Sequence, residues 1–292
     1  MSGSAFDRGP LCAARDPLLA HVDGRWLLFH TAVRPTAEAF ALRLDVAEST
    51  DLTTWTTRSV FPESPANHSS PGSLVRIGNQ WVLSLQSYPI DPGAQWANED
   101  ARLWLATSSD LLAWSPPRLV VAANDQRVAW TSSPRRIDPF LISHAGRHWC
   151  LYKAAGQFGM LVSSDLSTWS EASPDRPVLG TADTPDGSTV ENPCVVAVDG
   201  RFALIFSPCR EGRGIGIAWS DDLLRWRDVR YLDFPDLPWA PGGPTAAMVI
   251  DRRAAEGGWL MAFHGDRPIP ENSHGAAIAF ARSDDLLTWR VC

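Results

Sequence analysis

Three acidic side chains occupy one repeated register of the sequence. Asp16, Asp138 and Glu191 each stand one or two positions before a proline, in Arg15-Asp16-Pro17, Ile137-Asp138-Pro139 and Val190-Glu191-Asn192-Pro193. The prolines at 17, 71, 139 and 193 each precede a glycine by the same seven residues, at 24, 78, 146 and 200. A constant count of this kind marks equivalent stations in a repeated unit, with Ser70 and Gly243 in the same place before Pro71 and Pro244. One Asp-Pro at a strand start is ordinary turn chemistry, but acids at three of five matched stations go beyond it. Carboxylates gathered at one point raise the pKa of at least one of them, which gives a protonated acid and an ionised base at the same pH.

The elements that must position these acids are written in the repeat itself. The pattern Ser-x-Asp-Leu-x-x-Trp occurs five times, with Asp51, Asp110, Asp165, Asp222 and Asp285 spaced by 59, 55, 57 and 63 residues. Each copy follows a short apolar run of strand character, such as Leu42 to Ala47 or Ile215 to Trp219. Ser and Asp favour a tight turn, and a Leu and a Trp three residues apart share one face if that turn is helical. Before each run lies a hairpin signal, as in Val22-Asp23-Gly24-Arg25-Trp26 and Val198-Asp199-Gly200-Arg201-Phe202. Every unit thus offers three strands and usually a fourth after the Trp. Five such units predict an all-β chain, a five-bladed β-propeller of four-stranded antiparallel blades around a central channel. The expected blades cover about 12–62, 69–122, 135–180, 188–233 and 242–292 of a single domain, 1–292. The segment before Leu11 is expected to help close the ring. Equivalent stations on different blades converge on the axis, so Asp16, Asp138 and Glu191 should surround one shallow central pocket.

Composition excludes several alternatives. The 292 residues are 45% apolar and 20% charged with a net charge of −7, and the cations are arginines apart from Lys153. No basic stripe is present for nucleic acid or an anionic membrane surface, and no apolar run is long enough to span a bilayer. The first sixteen residues lack the apolar stretch of an export signal, so the expected location is cytoplasmic. Five widely spaced cysteines with no C-x-x-C pair read as free thiols rather than a disulfide or zinc framework.

The five-fold turn motif, taken with the three acidic tripeptides, resembles the five-bladed glycosidases of glycoside hydrolase family 43 and their relatives in families 32, 62 and 68. The resemblance spans the whole chain. It implies an inverting hydrolase in which Asp16 is similar to the general base, Glu191 to the general acid, and Asp138 to the residue that tunes and orients the acid. Ser70-Pro71 is similar to the family's Ala-Pro of the second blade. Where that family often has a Gly-His pair helping to hold a central cation, this chain reads Pro241-Gly242-Gly243-Pro244. No cofactor is therefore expected to be required, and a structural calcium lacks its histidine. The resemblance further implies an oligosaccharide substrate, with an exo-acting α-L-arabinofuranosidase or β-xylosidase at the centre of the range.

Further candidates for substrate contact are the loop tryptophans Trp96, Trp130 and Trp239, whose rings could stack on a sugar face, and His264 and Arg267 of the fifth blade. Arg135 and Arg136 read as ion-pair partners of nearby acids. Two alternatives stand beside the inverting hydrolase. The first is a retaining fructan- or sucrose-type glycosidase on the same fold, whose Asn-Asp-Pro-Asn-Gly signature is replaced here by Ala14-Arg15-Asp16-Pro17-Leu18. The second is a propeller that binds a glycan or a protein without cleaving. The sequence carries no signature of oligomeric state.

Overall fold

The hairpin signals turn the chain where they were expected. Asp23-Gly24, Ala145-Gly146 and Asp199-Gly200 all have positive φ at both central positions, the backbone that matches the twist of two paired strands. The computed structural model describes residues 3–122, 127–212 and 214–292. Five separate antiparallel sheets of four strands follow in chain order. Blade 1 is β1 (Ala13–Val22), β2 (Arg25–Pro35), β3 (Phe40–Ser49) and β4 (Thr56–Ser59). Blade 2 is β5 (Leu74–Ile77), β6 (Gln80–Gln86), β7 (Leu103–Ser108) and β8 (Arg118–Leu119). Blade 3 is β9 (Ile137–His144), β10 (Arg147–Ala154), β11 (Gln157–Ser163) and β12 (Ser170–Glu171). Blade 4 is β13 (Thr189–Val198), β14 (Arg201–Cys209), β15 (Gly216–Ser220) and β16 (Arg227–Tyr231). Blade 5 is β17 (Pro244–Arg252), β18 (Gly258–Asp266), β19 (Ala276–Ser283) and β20 (Arg290–Val291), with one helical turn, α1 (Arg253–Glu256), in its first hairpin. The chain is a five-bladed β-propeller.

The core lies between blades, as it must when each sheet buries both faces against its neighbours. Leu18, Phe29, Leu44 and Val46 of blade 1 pack with Leu83, Leu85 and Ala106 of blade 2. A larger cluster runs from Phe140 and Phe158 of blade 3 through Phe206 and Ile217 of blade 4 to Phe263 and Trp289 of blade 5. The ring closes through the N-terminal segment. Phe6 exchanges backbone bonds of 2.9 Å with Ile278 on β19, beyond the reach of the two-residue β20. Its ring packs on His30 and Trp55, and Arg8 pairs with the buried Asp45.

The Ser-x-Asp-Leu-x-x-Trp turn departs from the helical turn expected of it. The Ser220 hydroxyl accepts the N–H groups of Asp222 and Leu223 at 3.2 and 3.0 Å, and Asp222 Oδ1 accepts those of Leu224 and Arg225 at 2.9 and 2.8 Å. The five copies place their leucines in the left-handed region, at φ 62°, 65°, 64°, 67° and 66° for Leu52, Leu111, Leu166, Leu223 and Leu286. Side chains thus take the bonds that a helix would give to carbonyls. The indole N–H of Trp169, Trp226 and Trp289 then donates to the carbonyl of the leucine three residues back.

The fifth blade corrects the sequence register. β1, β13 and β17 each carry a bulge, between Arg15 and Leu18, Glu191 and Cys194, and Thr245 and Met248. The residue equivalent to Asp16 is therefore Ala246, followed by Ala247 where the other blades have proline; Gly243-Pro244 lies earlier on the strand. The seven-residue count fails here because α1 lengthens this hairpin.

Candidate active site

The bulge is what turns the acidic stations toward the axis. Asp16, Ser70, Asp138, Asn192 and Ala246 have φ of 48°, 43°, 53°, 54° and 51°, a backbone that non-glycine residues seldom adopt. Each is held there by a hydrogen bond to its own N–H. Asp16 donates to His264 Nδ1 at 3.0 Å, Ser70 to Thr31 Oγ1 at 2.8 Å, Asp138 to Gln86 Oε1 at 2.8 Å and Ala246 to Ser207 Oγ at 2.7 Å. In each case the acceptor is a second-strand side chain of the preceding blade. Thr31, Gln86, Lys153, Ser207 and His264 pair across their own blades with Arg15, Ser69, Ile137, Glu191 and Thr245. The fifth member of the series, Asn192, donates instead to Asp138 Oδ2 at 3.1 Å, because Lys153 has no acceptor to offer.

Above this ring lies a cavity of about 470 Å³ lined by Asp16, Asp138 and Glu191 together. Asp16 Oδ2 accepts the hydroxyls of Thr31 and Ser70, both at 2.9 Å, and Gln86 Nε2 donates to Ser70 Oγ at 3.0 Å. The Gln86 amide therefore ties the Asp16 and Asp138 stations to each other. Asp138 is 8% exposed, and burial, with the Glu191 and Asp16 carboxylates adding to it and Lys153 opposing, pushes its carboxyl up to about 6. Glu191 meets Lys153 Nζ at 2.8 Å. Burial alone would lower the Lys153 ammonium, but the Glu191 and Asp138 carboxylates outweigh it and raise it. His264 is buried, and desolvation, helped by the Arg15 charge, lowers its pKa. Its Nδ1 accepts the Asp16 N–H, so the proton of the neutral ring sits on Nε2, 3.4 Å from Asp266 Oδ1.

Of the residues expected to touch substrate, Ser70, Trp96 and His264 line the cavity. Trp96 is 58% exposed on the rim, its ring 5.4 Å from that of His274, which in turn meets Phe40 at 4.2 Å. Three expectations fail. Trp130 lies flat against Tyr152 at 6.2 Å and donates to the Ser173 carbonyl, as part of the packing between blades. Trp239 packs over Gly265 and the core of blades 4 and 5. Arg267 is turned to Asp7 of the N-terminal segment. Arg135, read from sequence as an ion-pair partner, instead lines the cavity with its guanidinium over the Tyr88 ring at 5.4 Å.

Lys153 and Thr31 were missed by reading only backward from the hairpin glycine, and Gln86, eight residues after Gly78, falls one beyond the same count. Counting seven residues forward from Gly24, Gly146, Gly200 and Gly257 reaches Thr31, Lys153, Ser207 and His264. The aromatic rim at Phe40 and His274 carries no such signal.

The narrow channel adjoining that cavity is lined by Pro17, Pro71, Pro139, Pro193, Ala247 and Met248 together with the oxygen-bearing Asp16, Ser70, Asp138 and Asn192. His264 has its Nδ1 engaged by Asp16. Among the described residues, no group of three or more His, Cys, Asp or Glu is arranged to hold a metal, and no helix is long and apolar enough to cross a membrane.

No family model and no curated protein sequence matches the chain. Solved structures do. An exo-1,5-α-L-arabinanase from a bovine ruminal metagenomic library matches with a TM-score of 0.69 at 17% identity, over 100% of this chain and 99% of that one. The catalytic domain of the family-62 α-L-arabinofuranosidase of Coprinopsis cinerea matches with 0.70 at 12% identity, over 96% and 95%. The Cellvibrio cellulosa α-L-arabinanase complexed with arabinohexaose matches with 0.63 at 15% identity, over 96% and 95%. At such identities the likeness is one of fold.

Proposed function

We propose that this propeller is a glycoside hydrolase, exo-acting on pentose-containing oligosaccharides of the α-L-arabinofuranoside or β-xyloside type, with inversion at the anomeric carbon. The observation that carries this is the convergence of Asp16, Asp138 and Glu191, from three different blades, on one cavity. Glycosidases among the solved structures of the same fold support it. In this reading Glu191 protonates the leaving oxygen while Asp16, oriented by the Thr31 and Ser70 hydroxyls, takes a proton from the water attacking the opposite face. Such a pair works with its carboxyl groups about 6.5–9.5 Å apart. Asp138, buried beside Glu191 and bearing a proton up to about pH 6, tunes the acid. Trp96 on the rim supplies a flat apolar face for a sugar ring. No cofactor enters the reaction.

The test is hydrolysis of aryl arabinofuranoside, xyloside, galactofuranoside and fructoside, with the anomer of the first product read by NMR. Glu191→Gln should lose roughly 10²–10⁴-fold in turnover of substrates with poor leaving groups while still binding them, the usual share of a general acid. Asp16→Asn should be inactive. A first product of retained configuration would transfer the assignment to the fructan- and sucrose-type mechanism. Binding without turnover, unchanged in Glu191→Gln, would leave a glycan-binding scaffold.

A further inference from the structure

The ring of hydrogen bonds that holds the five stations has one irregular member, and it lies beside the proposed acid. At four stations the second-strand side chain accepts the N–H of the next blade: Thr31, Gln86, Ser207 and His264. At the fifth stands Lys153, whose ammonium has three donors and no acceptor. Two consequences follow together. The Asn192 N–H goes to Asp138 Oδ2, so a carboxylate needed for chemistry also fixes the backbone next to Glu191. Lys153, released from the lock, reaches across to β13 of the next blade, to Glu191 Oε2 at 2.8 Å.

We propose that Lys153 is a positioning residue that holds the Glu191 carboxylate in its ionised form in the free protein and thereby sets an acidic upper pH limit on the hydrolysis. The proposal rests on the glycosidase reading for its second half. Among the described residues, the groups that face Glu191 include Lys153 on β10, Asp138 on β9 and Cys209 on β14, with Asp16 on β1 and Arg135 lining the same cavity. The Cys209 thiol is pushed up by burial and by Glu191 itself, so it stays neutral. Asp138 opposes ionisation of Glu191, by like charge. Lys153 is a cation in direct contact, and the salt-bridged side chains are only 17% and 20% exposed, which limits screening by water. A general acid must carry its proton to the leaving group, so an ammonium at 2.8 Å confines that proton to lower pH. The lone lysine of the chain is placed where it acts against the proposed donor.

A structural role and an electrostatic one separate cleanly, because blade 2 shows what a neutral lock looks like. Gln86, at the equivalent station, accepts the Asp138 N–H. K153Q therefore offers an acceptor for the Asn192 N–H while removing the charge. The experiment is a ¹³C-carboxyl NMR titration of the whole chain, with the Glu191 resonance identified by its loss in E191Q, alongside pH profiles of kcat/KM. In K153Q the Glu191 midpoint should rise by about one to three units, the range expected for loss of an opposite charge in contact. The alkaline limb of the profile should move with it, and K153R should keep the wild-type values. K153M, without charge or acceptor, should show the same titration shift, and decides the matter if K153Q does not fold. A midpoint that moves by less than about half a unit in K153Q and K153M, set against that expected range, would overturn the proposal. So would an alkaline limb that stays in place while the midpoint rises. A wild type silent on every glycoside would sink the functional reading and with it the pH limit, while the titration would still decide whether Lys153 keeps Glu191 ionised.

Discussion

Replacing Asp138 by asparagine should make the protein more stable at neutral pH while abolishing its chemistry. The carboxyl is buried and its pKa is raised from 3.8 to about 6, chiefly by desolvation. The folded chain therefore binds this proton more tightly than the unfolded chain does. Below about pH 3.8 both states are protonated and the group costs nothing. As pH rises through about 6 the folded state must bury a charge, and the cost levels off at about 3 kcal/mol, roughly two units at 1.36 kcal/mol each. Asparagine escapes that cost. It suits the backbone too, since blade 4 has Asn192 at the same station with φ 54° against 53° for Asp138. Its carbonyl oxygen can accept the Asn192 N–H that Asp138 Oδ2 accepts at 3.1 Å. Urea unfolding of the two proteins should show a stability gap in favour of Asp138→Asn that widens by about 2 kcal/mol between roughly pH 4.5 and 8. Groups that titrate alike in both proteins cancel from this difference. A gap that is independent of pH, or a variant less stable than wild type at pH 8, would refute the account of Asp138 as a destabilising buried carboxylate kept for function.

The remaining predictions probe the lock and the rim. Ser207→Ala removes the acceptor of the buried Ala246 N–H and should cost about 1–3 kcal/mol in urea unfolding, whereas Ser207→Thr, which copies the Thr31 lock of blade 1, should cost far less. Trp96→Ala takes away a ring that is 58% exposed, so stability should stay within about 0.5 kcal/mol while calorimetric affinity for a pentose oligosaccharide falls by roughly 0.5–1.5 kcal/mol. An affinity left unchanged would remove Trp96 from the binding surface.

The propeller could be read in the sequence because its signals are local and repeated. Asp-Gly hairpins and the Ser-x-Asp-Leu-x-x-Trp turn each satisfy their own backbone groups within a few residues, so five copies announce five blades. Asp16, Asp138 and Ser70 were legible for the same reason, since each sits eight residues before a hairpin glycine, with Glu191 one position further back. Legibility ended where that count changed or where contact is made across loops. The fifth station, Ala246, escaped because Pro244 stands three residues before Ala247, which fills the place that proline has in the other blades. Trp130 and Trp239 occupy loops whose path decides whether an indole meets the cavity or the interblade packing, and no spacing rule describes that path. Arg267 answered to Asp7, some 260 residues away in the chain, through the closure of the ring.

The same geometry explains why a repeated fold can host an unrepeated site. All five stations need a left-handed backbone and an acceptor for one N–H, and those demands fix the architecture without fixing the side chain. Threonine, glutamine, serine and neutral histidine all meet the demand for an acceptor, so the second strands are open to substitution. What the stations themselves carry is freer still: a carboxylate at Asp16 and Asp138, a hydroxyl at Ser70, an amide at Asn192 and a bare methyl at Ala246. Asymmetry is greatest between blades 3 and 4, where Lys153 abandons the lock and Asp138, itself a station, also accepts the N–H of the next one. That pair of departures depends on each other. Lys153 can face Glu191 only because Asp138 accepts the Asn192 N–H, and Asp138 must accept it because the neighbouring lysine has no acceptor to offer. Removing the lysine's charge while restoring an acceptor should therefore loosen the demand on Asp138, and the penalty of an Asp138→Ala change should be smaller in a K153Q background than in wild type. Additive penalties in that double-mutant cycle would mean that the two residues act independently.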